Sequence, residues 1–203
     1  MRVAKSPGLL FIHVPKTGGT TVNHVLEDLV PDIEAHNKLK HQTLAKALED
    51  DPSRAELFIF GFVRNPWARM VSWWSKIQET GQRVAAGDPR GRKHVESRMW
   101  QITLGCDNFD EFVDVVPAKV TRVRRPQIDY LAVPGRRADY IGRTETFATD
   151  LQAILTKLDL PTPEIPRSNE SPHGDYREFY SDRSRRAVEE LYRRDIAEFG
   201  YEF

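Results

Sequence analysis

The chain has 203 residues, room for one domain or one domain with an insertion, and its 39% apolar and 30% charged residues with ten Phe, six Tyr and four Trp exclude a disordered polymer. Thirty Lys and Arg balance thirty Asp and Glu, so no global field attracts nucleic acid or a membrane surface and only local charge can matter; no nucleic acid partner and no membrane span are expected. One cysteine, Cys106, excludes an internal disulfide and argues against a Cys-based metal site. The apolar run Leu9 to Val14 falls far short of the ~20 residues of a membrane span and is broken too soon for a signal peptide, so a cytoplasmic protein is expected.

Leu9 to Val14 is continuous, rich in strand formers and stopped by Pro15 and a glycine pair, the pattern of a buried central strand. From Thr20, Val22, Val25, Leu26 and Leu29 recur at helical spacing up to Pro31. His41 to Leu48 predicts a short helix. Leu57 to Val63 repeats the buried-strand pattern, and Asn65-Pro66 supplies an N-cap and a first-turn proline to a helix with Trp67, Met70, Val71, Trp74 and Ile77 on one face. Residues 81–93, with three glycines, Pro89 and four cationic side chains, predict a mobile loop. A short helix is expected over Asn108 to Val116, a third strand at Asp139 to Gly142, and a helix after Thr144 with Phe147, Leu151, Ile154, Leu155 and Leu158 in one stripe. Pro161 to Gly174 reads as loop, and a last helix runs from Ser181 to a stop at Gly200. The expected architecture is α/β, a P-loop-like parallel sheet flanked by helices in a single domain, 1–203.

Two junctions carry the chemistry. His13 to Thr21 lies where a parallel strand turns into a helix, where backbone N–H groups and the helix dipole favour an anion. Gly18 and Gly19 let the backbone close on a phosphate, Lys16 adds a point charge, and Thr17, Thr20 and Thr21 offer hydroxyls. The order differs from GxxxxGK[ST], because the lysine precedes the glycines. At the second junction the strand ends in Arg64, where a P-loop ATPase would usually offer an Asp toward Mg²⁺. Arg64 and Ser72, eight residues on along the polar side of the helix, suit a second phosphate.

Phe11-Ile-His-Val-Pro-Lys-Thr-Gly-Gly-Thr-Thr-Val22 resembles the 5′-phosphosulfate loop of the PAPS-dependent sulfotransferases, and Phe62-Val-Arg-Asn-Pro-Trp-Ala-Arg-Met-Val-Ser-Trp73 resembles their 3′-phosphate motif. The branch is that of carbohydrate sulfotransferases, with the heparan sulfate 2-O- and 6-O-enzymes and small bacterial relatives. The likeness continues through Lys40 to Thr43, Gln127 to Leu131, Tyr140 to Glu145 and Leu191 to Phe203. Golgi relatives begin with a membrane anchor, whereas here the first strand is expected by about Leu9. The resemblance implies transfer of the sulfuryl group of PAPS to a hydroxyl of a carbohydrate or other small acceptor, with PAP released and no metal required. Lys16 would stabilise the leaving phosphate, Gly18 to Thr21 would hold the 5′-phosphate, and Arg64 with Ser72 the 3′-phosphate. His41, in the Lys-His-x-Thr segment, is the expected base and His36 its reserve; His13, inside the apolar strand, reads as a core residue. Arg143, Glu145, Asn169, Ser171, Trp73 and the basic run Lys119 to Arg125 are weaker candidates. The alternatives are an ATP-dependent kinase and a non-catalytic nucleotide- or polyanion-binding protein.

Overall fold

The computed structural model describes residues 1–35, 41–164 and 174–203. Its strands are β1 (Arg2–Ala4), β2 (Leu9–Ile12), β3 (Glu34–Ala35), β4 (Phe58–Val63), β5 (Ala132–Val133), β6 (Arg136–Arg137) and β7 (Tyr140–Arg143). The helices are α1 (Gly19–Leu29), α2 (Leu44–Asp50), α3 (Pro66–Ala85), α4 (Arg92–Val95), α5 (Arg98–Leu104), α6 (Phe109–Lys119), α7 (Thr121–Arg124), α8 (Ile128–Leu131), α9 (Phe147–Lys157), α10 (Asp182–Leu191) and α11 (Arg193–Phe199). The chain forms two compact units, Met1–Arg64 with Pro126–Glu170, and Asn65–Arg125 with Ser171–Phe203. Among the described residues no helix is long and apolar enough to cross a membrane.

The first unit carries the sheet, in the order β3-β1-β2-β4-β7. β2, β4 and β7 are parallel, with Ile12 opposite Gly61 and Val63 opposite Arg143, and β1 adds antiparallel to β2. The parallel centre matches the expectation, and the antiparallel edge is an addition to it. Continuous apolar runs suit β2 and β4 because both faces are covered. Leu9, Phe11, Phe60 and Phe62 join Val22 and Leu26 of α1 and Leu151, Ile154 and Leu155 of α9 in one buried cluster. Truncating one of these leucines to alanine would cost about 2–5 kcal/mol. On the alternate face, Gly61 makes room for α8: a Cβ there would stand 2.5 Å from Leu131 Cδ2. Asp139 brackets the start of β4, its Oδ2 accepting from Ile59 N at 2.7 Å while its own N–H donates to Ile59 O at 2.6 Å. Asp150 accepts from Tyr140 Oη, Arg143 N and Thr146 Oγ1, which closes the turn from β7 into α9.

In the second unit α3 is the central element. Asn65 caps it, Oδ1 accepting from Trp67 N and Ala68 N, while Nδ2 donates to Glu202 O at 2.7 Å. Trp67, Tyr176 and Tyr180 pack edge-on against Phe203. Tyr180 Oη donates to Trp67 O at 3.0 Å, and burial holds this phenol far above its ordinary pKa. α10 is tied to α6 by Ser181 Oγ donating to Asp110 and by the Arg183–Asp114 pair.

Three expectations need correction. α3 runs to Ala85 and α4 begins at Arg92, so the loop placed at 81–93 shrinks to 86–91, where Asp88 pairs with Arg83 and Arg90. Gly81 does not break α3 because Leu104 of α5 lies on it, 2.5 Å from where a Cβ would stand. The helix placed at His41 starts at Leu44, with Thr43 Oγ1 accepting from Lys46 N, so His41 precedes it. The last helix is two, α10 and α11, divided at Tyr192, and Gly200 closes the second in the left-handed region at φ 62°.

Candidate functional site

Loops that leave the carboxyl ends of parallel strands are where α/β folds collect ligands. β2 and β4 are neighbours, so His13 to Gly18, which follows β2, and Arg64, which follows β4, leave the same edge of the sheet side by side.

The first loop is tightly wound. Val14 N bonds Ile12 O at 3.1 Å, and Thr17 Oγ1 donates to Val14 O at 2.9 Å, so the Thr17 hydroxyl holds the turn rather than facing outward. Thr17 is buried, Lys16 half-buried and Thr20 exposed. Lys16 has φ 71° and Gly18 φ 77°, both left-handed. Glycine tolerates this, whereas a long side chain pays about 1–2 kcal/mol. Alternation of this kind aims successive N–H groups into one concavity. α1 then begins with no side-chain cap and no acid in its first turn. Its leading N–H groups and the positive end of its dipole therefore suit an anion.

The second glycine has a different reason. A Cβ at Gly19 would lie 2.1 Å from Cδ2 and 2.3 Å from Nε2 of His13, so the imidazole rests directly on the first residue of α1. His13 is 4% exposed and stacks on Phe11 with ring centroids 5.7 Å apart, a core residue as its apolar context predicts. His41 stands against it, edge to face, with ring centroids 4.4 Å apart. His41 Nδ1 is 3.0 Å from His13 O. A carbonyl only accepts, so Nδ1 is the protonated nitrogen of neutral His41, and Nε2 carries the lone pair. The loop between β2 and α1 thus also sets the tautomer of the histidine.

Arg64 is half-buried, and its main chain is gripped by Gln127, a residue of 0% exposure: Arg64 N donates to Gln127 Oε1 at 2.9 Å, and Gln127 Nε2 donates to Arg64 O at 2.8 Å. Sequence reading held Gln127 only as part of a matching segment, and nothing local marks a contact 63 residues away. The structure brings Lys16 to Thr21, His41 and Arg64 into the first unit; Ser72, half-buried on α3, belongs to the second.

Trp73 is 7% exposed, the core outcome rather than a cleft wall. Lys119, Arg122 and Arg124 are exposed around α7. Arg143 and Glu145 are exposed at the end of β7. His36, Asn169 and Ser171 lie outside the described residues. Among the described residues, no three His, Cys, Asp or Glu side chains gather as metal ligands would.

The family model described as "Sulfotransferase family" matches residues 1–202. No curated protein and no solved structure matches the chain.

Proposed function

Since the chain belongs to the sulfotransferase family, whose chemistry is sulfuryl transfer, we propose that it moves the sulfuryl group of PAPS to a hydroxyl of a carbohydrate or other small acceptor and releases PAP. PAPS supplies that group activated as a phosphate–sulfate anhydride. The backbone amides of Gly18, Gly19 and Thr20 hold the 5′-phosphate, the Thr21 N–H being taken up by Gly18 O at 3.0 Å, and the Lys16 ammonium neutralises charge that grows on it during transfer. Arg64 holds the 3′-phosphate, joined by Ser72 on the strength of the sequence motif. His41 Nε2 takes the proton of the acceptor hydroxyl.

The observation that carries the reading is the double role of His13. Its ring rests on Gly19 at the start of α1, and its carbonyl takes the Nδ1 proton of His41 in a hydrogen bond, which leaves the ring's lone pair on Nε2. An anion-binding protein without turnover has no need to join a basic imidazole to its cradle. Arg64 at the end of β4, in place of an acid, fits a second phosphate better than a nucleotide-bound Mg²⁺.

The test is a transfer assay with sulfur-labelled PAPS against extracts of the source cell, the labelled product being identified by mass spectrometry, with and without a chelator. Label moved to a hydroxyl in both conditions supports the proposal. Absence of transfer together with turnover of Mg·ATP would replace it with a kinase.

A further inference from the structure

We infer that Gln127 is a positioning residue for nucleotide recognition, clamping the main chain of Arg64 so that its guanidinium is presented from a fixed backbone. This rests on the reading of Arg64 as the 3′-phosphate ligand.

The β4 ladder stops at Val63, which is paired with Arg143 and whose carbonyl accepts from Thr144 Oγ1 at 2.9 Å. Arg64 lies one residue past that ladder. There the amide of Gln127 does what a strand residue would do, taking the Arg64 N–H and giving an N–H to the Arg64 carbonyl at 2.9 and 2.8 Å. Two opposed bonds from one planar group fix both position and rotation of that peptide segment. At 0% exposure Gln127 meets no competing water. Leu131 lies directly over Gly61, which seats α8 on β4 and brings Gln127, at the head of α8, level with Arg64. Glutamine is the side chain that fits: Asn is one methylene short, Glu lacks the donor, and Met lacks both functions. A ligand contact made from a fixed backbone loses less entropy on binding than one from a mobile segment.

The experiment measures affinities of the full chain for PAP and for adenosine 5′-phosphate, which differ by the 3′-phosphate, alongside Tm. Arg64→Ala is expected to cut the preference for PAP by about 10- to 100-fold, the range for a charge-assisted hydrogen bond. Gln127→Met and Gln127→Glu are each expected to cut it at least about fivefold while adenosine 5′-phosphate binding stays within about twofold. Adding Gln127→Met to Arg64→Ala should cut it no further, because one residue acts through the other. If both Gln127 variants lower Tm but keep the wild-type preference, Gln127 is scaffold alone and the inference falls while the role of Arg64 stands. If Arg64→Ala keeps the preference, the reading of Arg64 falls and takes the inference with it.

Discussion

Gly19→Ala tests the idea that His13 joins the anion loop to the base. Gly19 opens α1, and alanine is worth about 0.5–1 kcal/mol more than glycine inside a helix, so propensity alone predicts a gain. The structure predicts the opposite. The new methyl would stand 2.1, 2.3 and 2.7 Å from three atoms of the His13 ring, which packs against Phe11 and His41 and is 4% exposed. Ring and helix must part by more than an ångström, and overpacking of this kind costs about 1–3 kcal/mol. At roughly 2–4 °C per kcal/mol for a chain of this size, the expected fall in Tm is about 2–12 °C. Turnover should fall further than stability, because displacing His13 moves the carbonyl that orients His41. In a His13→Ala background the ring is gone and with it the clash, so adding Gly19→Ala there should lower Tm no further, while turnover stays low. A Gly19→Ala protein as stable and active as the parent would refute the packing argument and the link to His41.

His41→Ala should lower kcat by about 10²–10⁴-fold with PAP affinity nearly unchanged, and the acid limb of the parent rate profile should vanish from the residual activity. Lys16→Gly relaxes the left-handed φ of 71°, so it should keep or raise the urea midpoint while transfer and PAP binding are both lost; a marked loss of stability would show that Lys16 holds the loop together. Burial would raise the Asp139 pKa, but hydrogen bonds from Arg136 and the Ile59 N–H bring it below the ordinary value, so its stabilisation is present at neutral pH and lost as pH falls below about 4. The gap in Tm between the parent and Asp139→Asn should therefore close on acidification through that range.

The central strands were legible because continuous apolar runs bounded by turn residues have few other uses. β1 and β3, three and two residues long, carry no such run and are set by their neighbours. Gly81 misled because a glycine where two helices touch looks in sequence like a helix end. Tyr192 misled in the other direction, since the stripe Val188, Leu191, Ile196 and Phe199 keeps its spacing across a break in the helix. For the site, residue types and order pointed to Lys16, Gly18 and Gly19. The reason for Gly19 was out of reach, because it depends on how a buried imidazole turns. His41 was placed by motif alone; the bond to His13 O spans 28 residues and leaves no periodic trace.

The distribution of strain in the loop bears on how the proposed chemistry is kept in place. A lysine at φ 71° is held only where its surroundings over-determine it. Here Thr17 Oγ1 ties the turn to Val14 O, His13 fills the space against Gly19, and the strands behind them are buried on both faces. Glycine at that position would give the same backbone path without the ammonium. Retaining lysine there sacrifices local stability for a charge at the mouth of α1. That trade makes sense for a group needed when phosphate charge develops, and much less sense for a surface turn, where Asn or Gly would satisfy the same dihedral angles without strain.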